Sequence, residues 1–218
     1  MLPIVCVVGA SNSGKTTFLE KLIPELRQRG YRVGTVKHDV HGFEMDREGK
    51  DTWRHRQAGA AAIAISSPVQ TAVIRQTEVE MTLDELAGRY FWTEDILLAE
   101  GFKRSRFPKV EIFRSAVEPA PICTAADNLL AVVTDDPVSC DVATFPLAGV
   151  AAVADLIENR FLKDRKEHSI TVHLDGKRLP MNDFVQDIVV GGIRGMLSTL
   201  RGWEAPRNID IQIRLEGD

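Results

Sequence analysis

Gly9-Ala10-Ser11-Asn12-Ser13-Gly14-Lys15-Thr16 decides how this chain folds. It matches G-x-x-x-x-G-K-[S/T], in which the glycines let the backbone curl until successive N–H groups converge on an anion. The pattern carries weight only between a buried strand and a helix. Upstream, Ile4-Val5-Cys6-Val7-Val8 is continuously apolar and β-branched, as a strand covered on both faces requires. Downstream, Phe18, Leu19, Leu22, Ile23 and Leu26 recur at helical spacing, with Gly30 placed to end the helix and Pro24 placed to kink it. In that setting Lys15 would neutralise β- and γ-phosphate charge, and the Thr16 hydroxyl would ligate Mg2+. Gly9, Ser11, Asn12, Ser13, Gly14 and Thr17 complete the candidate phosphate cradle.

Working outward, apolar strands alternate with amphipathic helices. The implied fold class is α/β, a P-loop NTPase with a mostly parallel central sheet flanked by helices. Strands are expected over residues 32–36, 62–66, 69–75, 95–100, 109–114 and 129–134, and helices over 50–59 and 149–162. Thr82 and Glu85 form a capping-box pattern for a further helix ending near Tyr90. The charged run from Phe161 to His168 marks a boundary between a nucleotide-binding domain, 1–165, and a small C-terminal module, 166–218. That module reads as strand, helix and strand. Asp175-Gly176 offers a turn, Asn182 caps a helix through Arg201, and Ile209, Ile211 and Ile213 alternate as a closing strand. Its helix carries an apolar stripe, Phe184, Val185, Ile188, Val189, Ile193, Met196, Leu197 and Leu200, whose default reading is core packing.

Composition narrows the function. Of 218 residues, 27 are Lys or Arg and 31 Asp or Glu, a net charge of −4, so no global basic field draws nucleic acid or an anionic membrane. Cys6, Cys123 and Cys140 fit neither a disulfide framework nor paired zinc ligands, which points to a reducing, cytoplasmic setting. The N-terminus shows no leader pattern, and no apolar run approaches the ~18 residues of a membrane span.

Metal and base ligands are sought at the ends of neighbouring strands. Ile96 to Ala99 runs into Glu100, a candidate for holding Mg2+ or its water, and Gly101 after it permits movement near a γ-phosphate. Asp46 and Asp51 lie in the polar stretch after the second strand, where a switch loop would sit. His38 and His41 are three apart, but no third transition-metal ligand is evident. Between Glu100 and Arg114, Lys103, Arg104, Arg106, Lys109 and Arg114 face only Glu100 and Glu111, a local cationic excess suited to an anionic ligand or simply to solvent. No N-K-x-D occurs, so guanine would need another reader. Asp135 or Asp136, ending the strand from Leu129, could accept from it, or could form a plain turn.

Gly9 to Thr17, Lys37-His38, Phe43, Asp46, Gly49-Lys50-Asp51, Arg54, Ala58-Gly59-Ala60, Glu100-Gly101-Phe102-Lys103, Pro108-Lys109 and Thr134-Asp135 together resemble the MobB family of P-loop proteins, over about residues 3–160. The resemblance implies a GTP-binding, weakly GTP-hydrolysing homodimer. Its expected partners are a molybdopterin guanylyltransferase, which it would assist in attaching GMP to molybdopterin, and molybdopterin itself. The expected roles are then phosphate binding by the 9–17 loop, catalysis by Lys15, Glu100 and Asp46, metal binding by Thr16, Asp46 and Glu100, and base contact by Asp135. A phosphorylated pterin or the partner enzyme would suit the cations from Lys103 to Lys109. Two other readings stay open: a small-molecule kinase, lacking an evident Arg-rich lid, and a non-enzymatic nucleotide-dependent scaffold.

Overall fold

The structure, a computed structural model, describes residues 2–39, 42–163, 170, 172–174, 177–206, 209, 211 and 213. The N-terminal run forms β1 (Ile4–Val8), and every one of its residues is buried. Side chains alternate across a strand. Accordingly Val5 and Val7 enter one core and Ile4, Cys6 and Val8 another, on opposite faces of one sheet.

The chain continues through α1 (Lys15–Gln28), β2 (Val33–Lys37), α2 (Asp51–Gln57), β3 (Ala62–Ser66), β4 (Thr71–Arg75), α3 (Leu83–Tyr90), β5 (Ile96–Glu100), β6 (Lys109–Ile112), β7 (Leu129–Val133), β8 (Ala143–Phe145) and α4 (Val150–Phe161). Six strands make one sheet in the order β2-β5-β1-β6-β7-β8, and every pairing in it is parallel. On the first face α1 supplies Phe18, Leu22 and Leu26, and α4 supplies Val153, Ala154 and Ile157. Arg29, just past α1, fastens these two helices by bonding Glu25, Asp155 and Glu158 at 2.6–2.9 Å. The second face is covered by Leu83 and Ala87 of α3 with Phe113 and Cys123. Glu111, buried in β6, accepts the N–H groups of Ile122 and Cys123 at 2.7 and 2.9 Å and so draws that segment onto the sheet.

Through α4 the expected elements form with boundaries shifted by a residue or two, α1 runs on through Pro24, and the Thr82/Glu85 capping box is present. Three differences matter. β3 and β4 pair only with each other, as an antiparallel hairpin outside the main sheet. β8, three residues long, is too short to have shown a period. In the C-terminal region β9 (His173–Leu174) pairs with β10 (Lys177–Arg178), β10 lies against α3, and Asn182 caps α5 (Asp183–Ser198) through its side chain. The expected turn at Asp175-Gly176 lies outside the described residues, as do alternate positions of the expected closing strand. The apolar stripe of α5 does not enter a core. No residue of the helix is buried, and Phe184 is 71% exposed. Among the described residues no helix is long and apolar enough to cross a membrane.

Candidate functional site

β1 ends at the centre of the sheet, between β5 and β6, and the parallel strands bring all their C-terminal ends to the same edge. In open α/β sheets ligands bind outside that edge. The loop from Gly9 to Gly14 lies there. Gly9, Asn12 and Gly14 all have positive φ (+143°, +62° and +100°), which curls the backbone. Gly9 is also sterically forced, since a Cβ there would run into the carbonyl oxygen of Ile112 in β6 and lie 2.7 Å from Ser13 Oγ.

Gly14 starts α1 without a side-chain cap, and the first turn of α1 contains no acidic residue. The helix thus leaves its leading N–H groups and positive dipole end for an external anion. Ser13 is buried, and its hydroxyl has no hydrogen-bond partner. Lys15 Nζ folds back to donate to the carbonyl oxygens of Gly9 and Ala10 at 3.1 and 2.7 Å. Burial lowers its pKa, nearby Lys37 lowers it further, and Glu100 opposes both.

Across the cleft, Thr16 Oγ1 lies 3.0 Å from each carboxylate oxygen of Glu100, and Lys37 Nζ lies 3.5 Å from Glu100 Oε1. An uncapped helix start, an orphaned hydroxyl and a hydroxyl paired with a strand-end carboxylate fit a phosphate chain carrying Mg2+. Thr16 and Glu100 would hold that ion or its water. His38 closes one side of the cleft. Its Nε2 meets Glu80 Oε1 at 2.8 Å, its ring lies 4.9 Å from that of Phe102, and its backbone N–H donates to the Glu100 carbonyl at 3.0 Å. The cleft, about 1330 Å³, runs from Gly9, Lys15 and Thr16 past Glu100 to Lys103–Phe107 and the first turn of α3.

Lys15, Thr16 and Glu100 therefore come together, with Ser11, Asn12 and Thr17 also lining the cleft. Asp46 does not line it. Asp46 accepts from Thr52 Oγ1 at 2.9 Å at the start of α2, and its other oxygen is buried without a partner. Asp135 stands exposed at the end of β7, accepting the Leu147 N–H at 2.9 Å, while Asp136 holds the Ser115 N–H at 2.7 Å. His41 is outside the described residues, and among those described no three His, Cys, Asp or Glu side chains cluster as a metal site would need.

The cationic strip divides. Lys109 is buried and donates to the carbonyls of Ser105, Phe107 and Asp127, so it belongs to the fold and not to the surface. Arg114 Nε donates to Ser13 O at 3.0 Å and clamps the loop from below. Its charge was visible in the sequence, but its contact depends on β6 lying beside β1.

Residues 4–135 match the family model described as molybdopterin guanine dinucleotide synthesis protein B. A molybdopterin-guanine dinucleotide biosynthesis adapter protein of Haemophilus influenzae is 37% identical over 72% of this chain and 89% of its own length. A relative in Methanocaldococcus jannaschii is 25% identical over 96% of this chain and 97% of its own, so it spans the C-terminal region as well. Among solved structures, that of Bacillus subtilis MobB has a TM-score of 0.61 at 30% identity, covering 75% of this chain and 100% of the other. With the P-loop NTPase fold, the match over most of the sheet and these relatives in agreement, the chain belongs to the MobB family.

Proposed function

We propose that this protein binds GTP with Mg2+ in the cleft at the end of β1, hydrolyses it slowly, and serves as an adaptor when GMP is attached to molybdopterin. The observation that carries the reading is the convergence of the open start of α1 and Lys15 with the Thr16–Glu100 pair. Lys15 would exchange its two neutral carbonyl acceptors for phosphate oxygens, a stronger bond because both partners are then charged. Thr16 and Glu100 would hold Mg2+, which supplies charge neutralisation at the β- and γ-phosphates when bound. Glu100 would orient water, and the curled amides would fix the triphosphate, so that catalysis is mostly positioning. Asp135, exposed at the end of β7, is the base reader in this proposal.

The adaptor role is supported by the relatives, which are adapter proteins of molybdopterin-guanine dinucleotide biosynthesis, and its partner here would be a guanylyltransferase in the cytoplasm. A homodimer is part of the proposal. The β3–β4 hairpin exposes Ile65 (61%) and Val73 (52%), and a lone two-stranded hairpin is marginal until something covers it. A reconstituted assay tests the function: molybdopterin, GTP·Mg2+ and the transferase, with and without this protein. The proposal expects faster dinucleotide formation with it and slow release of orthophosphate from GTP. An unchanged rate with no orthophosphate would overturn it.

A further inference from the structure

Beyond the phosphate cradle the cleft continues along the connection from β5 to β6, where Phe102, Lys103, Arg104, Arg106 and Phe107 line it opposite the first turn of α3. At about 1330 Å³ the cleft is larger than the roughly 300–1,000 Å³ usual for a single small ligand. Gly101 and Phe102 both have positive φ (+90° and +55°), so the chain turns sharply after Glu100 and keeps the cations that follow in the same cleft as the Glu100 carboxylate. A left-handed conformation is unusual for phenylalanine, and such conformations gather at ligand sites.

Two of the three cations here take no part in holding the fold. Lys103 and Arg104 are exposed and make no ion pair among the described residues, whereas Lys109 and Arg114 of the same strip are committed to backbone carbonyls. Arg106 reaches Asp84 through Nη2 at 2.8 and 2.9 Å, an exposed pair that another anion can displace. The whole chain is net negative, −4, so this positive wall is not an accident of general basicity. It lines the same cleft as Glu100, while Asp135 and Asp136, which follow β7, do not line that cleft. A nucleotide whose base points toward β7 leaves the wall uncovered.

We propose that this wall is a second subsite, in which Lys103, Arg104 and Arg106 hold the phosphate of a small phosphomonoester while a nucleotide occupies the P-loop. The inference rests on the nucleotide reading above, and the experiment separates the two. The full chain is first titrated with a non-hydrolysable GTP analogue and Mg2+, and failure at that step counts against the nucleotide reading alone. The saturated protein is then titrated with riboflavin 5′-phosphate, followed by fluorescence, with riboflavin as the phosphate-free control. The wild type should bind the phosphate ester about tenfold or more tightly than riboflavin. The double variant Lys103→Glu/Arg104→Glu should lose at least about tenfold of that affinity and keep its nucleotide affinity within about twofold. Equal binding of the two flavins, or insensitivity to the charge reversal, would overturn the subsite. So would an oligoglutamate peptide that binds the wall where the phosphate ester does not, since the wall would then be a surface for an acidic protein segment.

Discussion

Replacing Gly9 by alanine places a methyl group where the structure has no room for one. It would overlap the Ile112 carbonyl oxygen, lie 2.7 Å from Ser13 Oγ and require alanine at φ +143°. Ile112 belongs to the central sheet and Ser13 is buried, so neither neighbour can swing aside as a flexible surface chain would. The backbone conformation costs about 1–3 kcal/mol. The overlap adds about 1–3 kcal/mol. At roughly 2–4 °C per kcal/mol for a chain of this size, the thermal midpoint should fall by about 4–24 °C. Gly14→Ala is the matched control. Gly14 also has positive φ, +100°, but its Cβ would meet only the Arg114 guanidinium nitrogens, at 3.7 Å. It should cost about 1–3 kcal/mol, the backbone part alone. Differential scanning fluorimetry and titration with a fluorescent GTP analogue measure both variants. If Gly9→Ala matched Gly14→Ala in midpoint and in nucleotide affinity, the argument that β6 braces the loop would be wrong.

Thr16→Ala should weaken Mg2+-dependent GTP binding by about 10–100-fold, the loss of one charge-assisted bond, and leave affinity in EDTA nearly unchanged. Thr16→Ser should restore it, and equal losses with and without Mg2+ would remove Thr16 from the metal. Glu111 has its pKa raised by burial, which outweighs the opposing Ile122 and Cys123 N–H donors. A raised carboxylate contributes stability that is full below its ordinary value near 4.5 and is lost as pH rises through the raised one. Wild-type stability measured relative to Glu111→Gln should therefore rise as pH is lowered from 7 toward 4.5, and a relative fall would contradict the burial argument. Ile65→Lys with Val73→Lys should shift sedimentation toward monomer if the hairpin covers a second copy, and an unchanged profile would place the interface elsewhere.

Much of the domain was legible because its signals are local. The P-loop announces itself by glycines whose positive φ the structure shows, the capping box at Thr82 needs only four residues, and β1 and β5 are apolar runs covered on both faces. Pairing and burial were not legible. Nothing local says that β3 and β4 stand outside the sheet, since their composition suits a core strand and their isolation follows from which strands reach β1. Lys109 reads as a surface cation, yet three carbonyls meeting at one buried point satisfy its ammonium group. Asp46 was a reasonable metal ligand by position along the chain, but its contact with Thr52 draws it to α2 and out of the cleft. The stripe on α5 has the spacing of a core helix, and spacing does not tell whether a partner element lies over it.

The central claim is that the curled amides and Lys15 grip a triphosphate beside Thr16 and Glu100. Isothermal titration of the full chain with a non-hydrolysable GTP analogue and Mg2+, repeated with Lys15→Ala, tests it most directly. The account predicts saturable one-to-one binding by the wild type and a loss of about 100-fold or more in the variant, whose fold remains intact by circular dichroism. Equal affinity in the two proteins, or no heat of binding in the wild type, would contradict it.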